Sequence, residues 1–163
     1  MAEKSGVECM GKDVVVRASS TGDVILEAPG SGKSVYAVVN GVKVASLSAA
    51  GLGYVTGQGG AVTQLTDRST GVTLSKLSGA ITTDATSLAT GAEATFTVTN
   101  TLVAATDVVA VCLKTPSATG FSLPFVSQVA DGSFKITLTN LHGSTADTSA
   151  SVINFVVIKA VAA

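Results

Sequence analysis

The stretch "EAPGSGKS", Glu27 to Ser34, has the residue types of a phosphate-binding loop. It follows the apolar run Val24-Ile25-Leu26, as such a loop follows its strand. It ends in Gly32-Lys33-Ser34, where backbone amides and a lysine ammonium would meet polyphosphate. Two requirements fail. The place five residues before the Gly-Lys-Ser, which must be glycine, is Glu27, so a carboxylate would sit where phosphate has to approach. Beyond Ser34 a helix must open, because its N-terminal amides cradle the phosphates. The chain instead continues "VYAVVNGVKV", which is β-branched and carries a hairpin signal. Pro29-Gly30 and Gly32 therefore read as a turn between strands, and no nucleotide or other cofactor is expected.

The remaining reactive side chains are scattered. His142 is the only histidine and precedes a Gly-Ser-Thr loop. One imidazole without a Cys partner makes neither a metal pair nor a nucleophile dyad, so His142 reads as a surface turn residue. Cys9 and Cys112 are far apart and read as two reduced thiols. Asp67, Asp84, Glu93, Asp107, Asp131 and Asp147 stand singly, most beside glycine or threonine. Turn and strand-end roles suit them, although acid pairs for glycoside hydrolysis meet in space and not in sequence. "DGSF" and "TADTS" offer oxygens but lack the ligand count of a calcium loop. "GYVTGQGG" could form an anion nest and more simply reads as a close backbone passage. Aromatic platforms for sugars are few: Tyr36, Tyr54, Phe121 and Phe125, with both phenylalanines expected in the core. No catalytic or metal-ligating residue is expected, and the chain does not read as an enzyme.

The bulk composition agrees with a contact-making protein. Charged residues are 13% of the 163, with a net charge of −1, against about 25% in an ordinary domain. No basic stripe exists to neutralise a phosphate backbone, so nucleic acid is not expected as a partner. Weak self-repulsion allows close association of copies. Apolar residues reach 46% and aromatics only 4%. No apolar run approaches the ~18 residues of a membrane span, and "MAEKSGVECMGKD" shows no secretory h-region.

The elements that must position these residues are strands. "DVVVRASSTG", "DVILEAPGSG", "KSVYAVVNG" and "VKVASLSAAG" each open β-branched and close on glycine, a period of about ten residues that suits a strand and a tight turn. Asn40-Gly41 between two such runs predicts a two-residue hairpin turn of type I′. Units this short are stable only by stacking or against other copies. "AAGLGYVTGQGG", residues 49–60, is a junction. After it come "AVTQL", "GVTLSK", "GAITT", "EATFTVTN", "DVVAVCLK", "FSLPFVSQV", "SFKITLTNL" and "ASVINFVVIKA". Phe96 and Val98 oppose Thr95, Thr97 and Thr99; Phe134, Ile136 and Leu138 oppose Lys135, Thr137 and Thr139, a period of two. Asp131-Gly132 marks a turn. "INFVVIKAVAA" is apolar on both faces, as a central strand or one under a neighbouring subunit would be. "TDATSLATGAEA" is the one candidate for a helical turn. The pattern predicts an all-β chain: an antiparallel sandwich or jelly roll. An extended arm at 1–12 and a strand-turn region at 13–51 would precede a sandwich domain at 52–163.

"GLGYVTGQGGAVTQLTDRSTGVTLSKLSGAITT", "ATFTVTNTLVAATDVVAV", "ADGSFKITLTNLHGSTAD" and "ASVINFVVIKA" resemble a domain recurrent in virion proteins of tailed bacteriophages, the C-terminal domain of fibre-like and head-associated proteins. The likeness spans roughly residues 13–163 and is most specific at "GYVTGQGGAVTQ" and "INFVVIKA". It implies a structural virion protein, made in the bacterial cytoplasm and assembled as a homotrimer, and it carries over no catalytic residue. With only "MAEKSGVECMGK" ahead of the first strand unit, the resemblance implies a capsid decoration (cement) protein on the outer face of the major capsid protein shell. Its alternative is a fibre or spike module that binds host glycan. Under the leading reading Met1, Ala2, Glu3, Lys4, Val7, Met10 and Lys12 are expected at the capsid. Val24, Leu26, Val35, Tyr36, Val38, Leu52 and Tyr54 are expected between subunits.

Overall fold

The structure, a computed structural model, describes residues 8–10, 13–15, 34–39, 42–48 and 51–160. The rest of the arm, the repeat over 16–33 and all of "EAPGSGKS" but Ser34 lie outside the described residues. The chain divides into two compact units, Met1–Gly53 and Tyr54–Ala163.

In the first unit β1 (Glu8–Met10) and β2 (Asp13–Val15) pair antiparallel, with Met10 opposite Asp13. The end of the expected arm is thus a strand. β3 (Val35–Val39), β4 (Val42–Ser48) and β5 (Gly51–Tyr54) form a three-stranded sheet in that order. Val39 lies opposite Val42, so Asn40-Gly41 joins the strands as the two-residue connection its sequence predicts. The turn type lies outside the described residues. β3 starts directly after Ser34. A strand therefore stands where a phosphate loop needs a helix.

The second unit contains β6 (Gly59–Thr63), β7 (Val72–Thr73), β8 (Ser78–Thr82), β9 (Glu93–Thr99), β10 (Val108–Thr115), β11 (Ser122–Ala130), β12 (Ser133–Asn140) and β13 (Val152–Ile158). Each expected strand has its counterpart. They form two four-stranded sheets, β10-β13-β8-β6 and β11-β12-β9-β7. Most pairs are antiparallel, but β6 with β8 and β7 with β9 are parallel, which corrects the all-antiparallel expectation. From β6 to β9 the chain changes sheet at every strand. Each return to a sheet therefore runs in the same sense as the strand left there. The segment 83–94 forms no helix. Leu88 instead bridges to Asp147 in antiparallel fashion, and a turn with Gly91 at φ 71° leads into β9.

The two sheets share one core. Phe96 and Val98 of β9 and Phe134, Ile136 and Leu138 of β12 meet Ile81 of β8 and Ile153, Phe155 and Val157 of β13 in one buried cluster. The Phe134 and Phe155 rings are tilted at 55° with centroids 5.3 Å apart, a favoured aromatic geometry. Each such side chain contributes about 1.5–3 kcal/mol by leaving water. The alternation read in β9 and β12 holds: Thr95 lies opposite Thr137 and Lys135 opposite Thr97 on the outward side. Gly79 is what lets Phe155 lie against β8. A Cβ there would stand 2.6 Å from Phe155 Cε1 and 2.7 Å from Leu74 Cδ2.

Candidate functional site

Buried polar side chains close both ends of the second unit. At one end Arg68 and Asp147, 3% and 0% exposed, form an ion pair of 2.9 Å between Nη2 and Oδ1. Arg68 also donates through Nε to the Thr86 carbonyl and through Nη2 to the Ser149 carbonyl. Asp147 accepts from the Ser122 hydroxyl. Gln64, also buried, donates to the carbonyls of Arg68 and Thr70 and accepts from the Asp84 amide. Asn140 sits beside this cluster, fully buried. It accepts from the amides of Phe121 and His142 and donates to the carbonyls of Leu88 and Thr145. Loops that would otherwise bury unpaired backbone groups are tied together by these side chains.

The opposite end uses the same device. Asn100, fully buried at the close of β9, donates to the Lys76 carbonyl and accepts from the Leu102 amide. β9 and β12 end in "TVTN" and "TLTN". This repeated Thr-X-Thr-Asn ending was the sequence signal for both asparagines.

The remaining carboxylates hold turns and strand ends, as their neighbours suggest. Asp67 accepts from Ser69 N and Thr70 Oγ1, Asp131 from Ala105 N, and Glu93 from Thr139 Oγ1. Thr86 donates to Asp84 through hydroxyl and amide, and this pair of bonds lowers the Asp84 pKa. Asp107 accepts from Ala104 N and pairs with Lys159, and these partners lower its pKa in that order. A carboxylate with a depressed folded pKa contributes stability above its unfolded pKa. That contribution is lost as the pH falls through the folded value. The midpoint of urea unfolding is therefore expected to be flat down to about pH 4 and to fall below it. Asp107→Asn should shallow this acid limb; an unchanged limb would remove Asp107 from it.

His142 is half-buried in its turn, where Nδ1 accepts from the amides of Ser144 and Thr145. Among the described residues no group of three or more His, Cys, Asp or Glu could hold a metal ion. Among the described residues no helix is long and apolar enough to cross a membrane.

Of the residues expected at the capsid, Met1, Ala2, Glu3, Lys4, Val7 and Lys12 lie outside the described residues, and Met10 is in β1. Of those expected between subunits, Val24 and Leu26 lie outside. Val35 is half-buried in β3, where Val38 also lies. Tyr36 is exposed, with Lys43 Nζ 3.8 Å from its ring centroid. Leu52 is 80% exposed. Tyr54 is half-buried, and its hydroxyl donates to the Val157 carbonyl within its own unit.

Phe121 and Phe125, expected in the core, are 46% and 45% exposed. The β11–β12 register explains the correction. It sets Leu123 opposite Thr139 and Phe125 opposite Thr137, on the outward threonine side, while Ser122, Pro124 and Val126 turn inward. Leu123 and Phe125 of β11 and Phe121 just before it thus form an apolar stripe, joined by exposed Leu141. Exposed apolar stripes mark contact surfaces.

Comparison with protein-family models, with curated proteins and with solved structures finds no match in any of the three.

Proposed function

We propose that this chain is a structural virion protein of a tailed bacteriophage, a capsid decoration (cement) protein. On this reading the second unit is a β-sandwich of jelly-roll type, and the protein binds the outer surface of the major capsid shell as a homotrimer. The observation that carries the reading is how the second unit spends its side chains. Its described carboxylates hold turns, a strand end and a buried ion pair, whereas its outward surface offers small uncharged residues on one sheet and an apolar stripe on the other. That is a surface for contact. The two segments that carry the strongest resemblance also meet: Tyr54 of "GYVTGQGGAVTQ" donates to Val157 of "INFVVIKA", and β6 and β13 share a sheet. The mechanism is mechanical, with many modest contacts repeated by symmetry supplying the affinity.

Purified chain added to empty heads of the phage that encodes it should bind them and raise their disruption temperature. The chain lacking residues 1–12 should remain folded and bind no heads. Unaltered binding by that variant would move the contact surface elsewhere.

A second reading is favoured by one observation. Phe121 and Phe125 present rings on a face rich in threonine, as a module that stacks host glycan would. Phe125→Ala would then abolish binding to host polysaccharide and leave head binding intact.

A further inference from the structure

β13 raises a question that its own unit does not answer. Ile153, Phe155 and Val157 are buried in the core. Val152, Val156 and Ile158, which alternate with them, point away from it and are apolar as well. A strand apolar on both sides is characteristic of sheets covered on both sides. Pairing extends this outward face across the sheet. Ala110 lies opposite Val156, Cys112 opposite Asn154, Asn154 opposite Ala80, and Ala61 opposite Ala80. Apart from Asn154 these positions are small or apolar and none is charged; the nearest charge in the alternation is Lys114, exposed at the β10 register shift at the margin of the face. Ala110, Cys112 and Ala61 are exposed, and Val156, Asn154 and Ala80 half-buried. An outward sheet face in a two-sheet domain ordinarily alternates polar side chains out; β9 and β12 of the other sheet do so with threonines, Lys135 and Glu93.

We propose that this face of the β10-β13-β8-β6 sheet is turned toward a rotation axis and covered by further copies of the same chain. The proposal deepens the assembly reading above and rests on it. A face at a rotation axis meets its own equivalents whatever the order of the axis, so any charge on it would confront its like. A face whose centre carries no charge, with Lys114 kept to its margin, avoids that cost, and its small side chains let sheets approach closely. The size is consistent. Four strands about 4.8 Å apart, with residues rising about 3.4 Å along the seven of β13, give about 19 Å by 24 Å, or about 450 Å² per copy. Two such faces bury about 900 Å², more than most incidental contacts and less than a standard interface of about 1,200–2,000 Å². Association through this face alone is therefore reversible on dilution.

Cys112 lies on the face as a free, exposed thiol. In a Cys9→Ser protein it reports occlusion directly. Sedimentation velocity between about 1 and 100 µM, a range that brackets a micromolar constant, should show an oligomer that dissociates on dilution. Maleimide labelling of Cys112 should be about tenfold slower in the oligomer than in the dilute protein, because the thiol is reached through dissociation. Asn154→Asp, an isosteric change that puts like charges at the axis, should yield a folded monomer with fast labelling. Thr99→Asp on the other sheet should change neither readout. A monomer at the highest concentration would overturn the proposal, as would an oligomer whose Cys112 labels at the monomer rate. A monomer that labels slowly would also overturn it, assigning the cover to the chain's own residues. Loss of head binding with self-association intact would overturn the decoration reading and leave this face assigned.

Discussion

Arg68→Leu should cost the protein about 3–5 kcal/mol of unfolding free energy, because it leaves the Asp147 carboxylate buried without its cation. The penalty comes from the charge left behind more than from the attraction lost. An ion pair out of water roughly repays its own desolvation, whereas an unpaired buried carboxylate repays nothing. Asp147→Leu should cost a similar amount by stranding the guanidinium. The double variant should lose less than the sum of the two, by about 1–3 kcal/mol, because neither charge then remains. It should still fall short of the parent. Arg68 also serves the carbonyls of Thr86 and Ser149, and Asp147 the Ser122 hydroxyl. Urea unfolding of the four proteins decides this: strict additivity, or single losses below about 1 kcal/mol, would contradict a coupled buried pair.

Phe134→Ala is the second large effect expected, a loss of about 3–5 kcal/mol and of roughly 10–20 °C in Tm. Phe134 is buried in β12 and packs on Phe155 from the other sheet. Removing its ring takes away the transfer free energy and opens a cavity between layers held apart by flanking strands. Leu141→Ala, on the exposed stripe, should move Tm by a degree or two at most, since surface changes usually stay within about 0.5 kcal/mol. A small loss for Phe134→Ala would mean that the sheets do not depend on this contact.

The parts of the fold legible in the sequence were those set by period and by local turn chemistry. β9 and β12 alternate so regularly that their inward and outward sets could be assigned residue by residue. Asp131-Gly132 fixed one connection because it supplies the backbone that a tight hairpin demands, and the β3–β4 register leaves two residues between its strands, as the Asn-Gly pair predicts. The two-sided apolar character of β13 placed it in the middle of its sheet. What stayed hidden depends on partners distant in sequence. The parallel edges β6–β8 and β7–β9 follow from the chain changing sheets, which no local pattern encodes. "FSLPF" alternates as cleanly as β9 does. Its polarity was misjudged because phenylalanine is ordinarily a core residue, whereas pairing with β12 puts the rings on the threonine side. Arg68 and Asp147 are 79 residues apart. The only hint was one of two arginines, the other being Arg17, in a chain poor in charge. Of the expected contact residues, many fall outside the described residues, so the arm is tested by the truncation and the sheet face by Cys112.

Assembly on a capsid is the central claim, and the copy number of this chain in purified virions tests it most directly. Quantitative mass spectrometry against the major capsid protein, read with a cryo-electron map of the head, should find the chain in proportion to capsomer junctions, with density on the outer shell. Absence from the virion, or a copy number fit only for a tail, would contradict it.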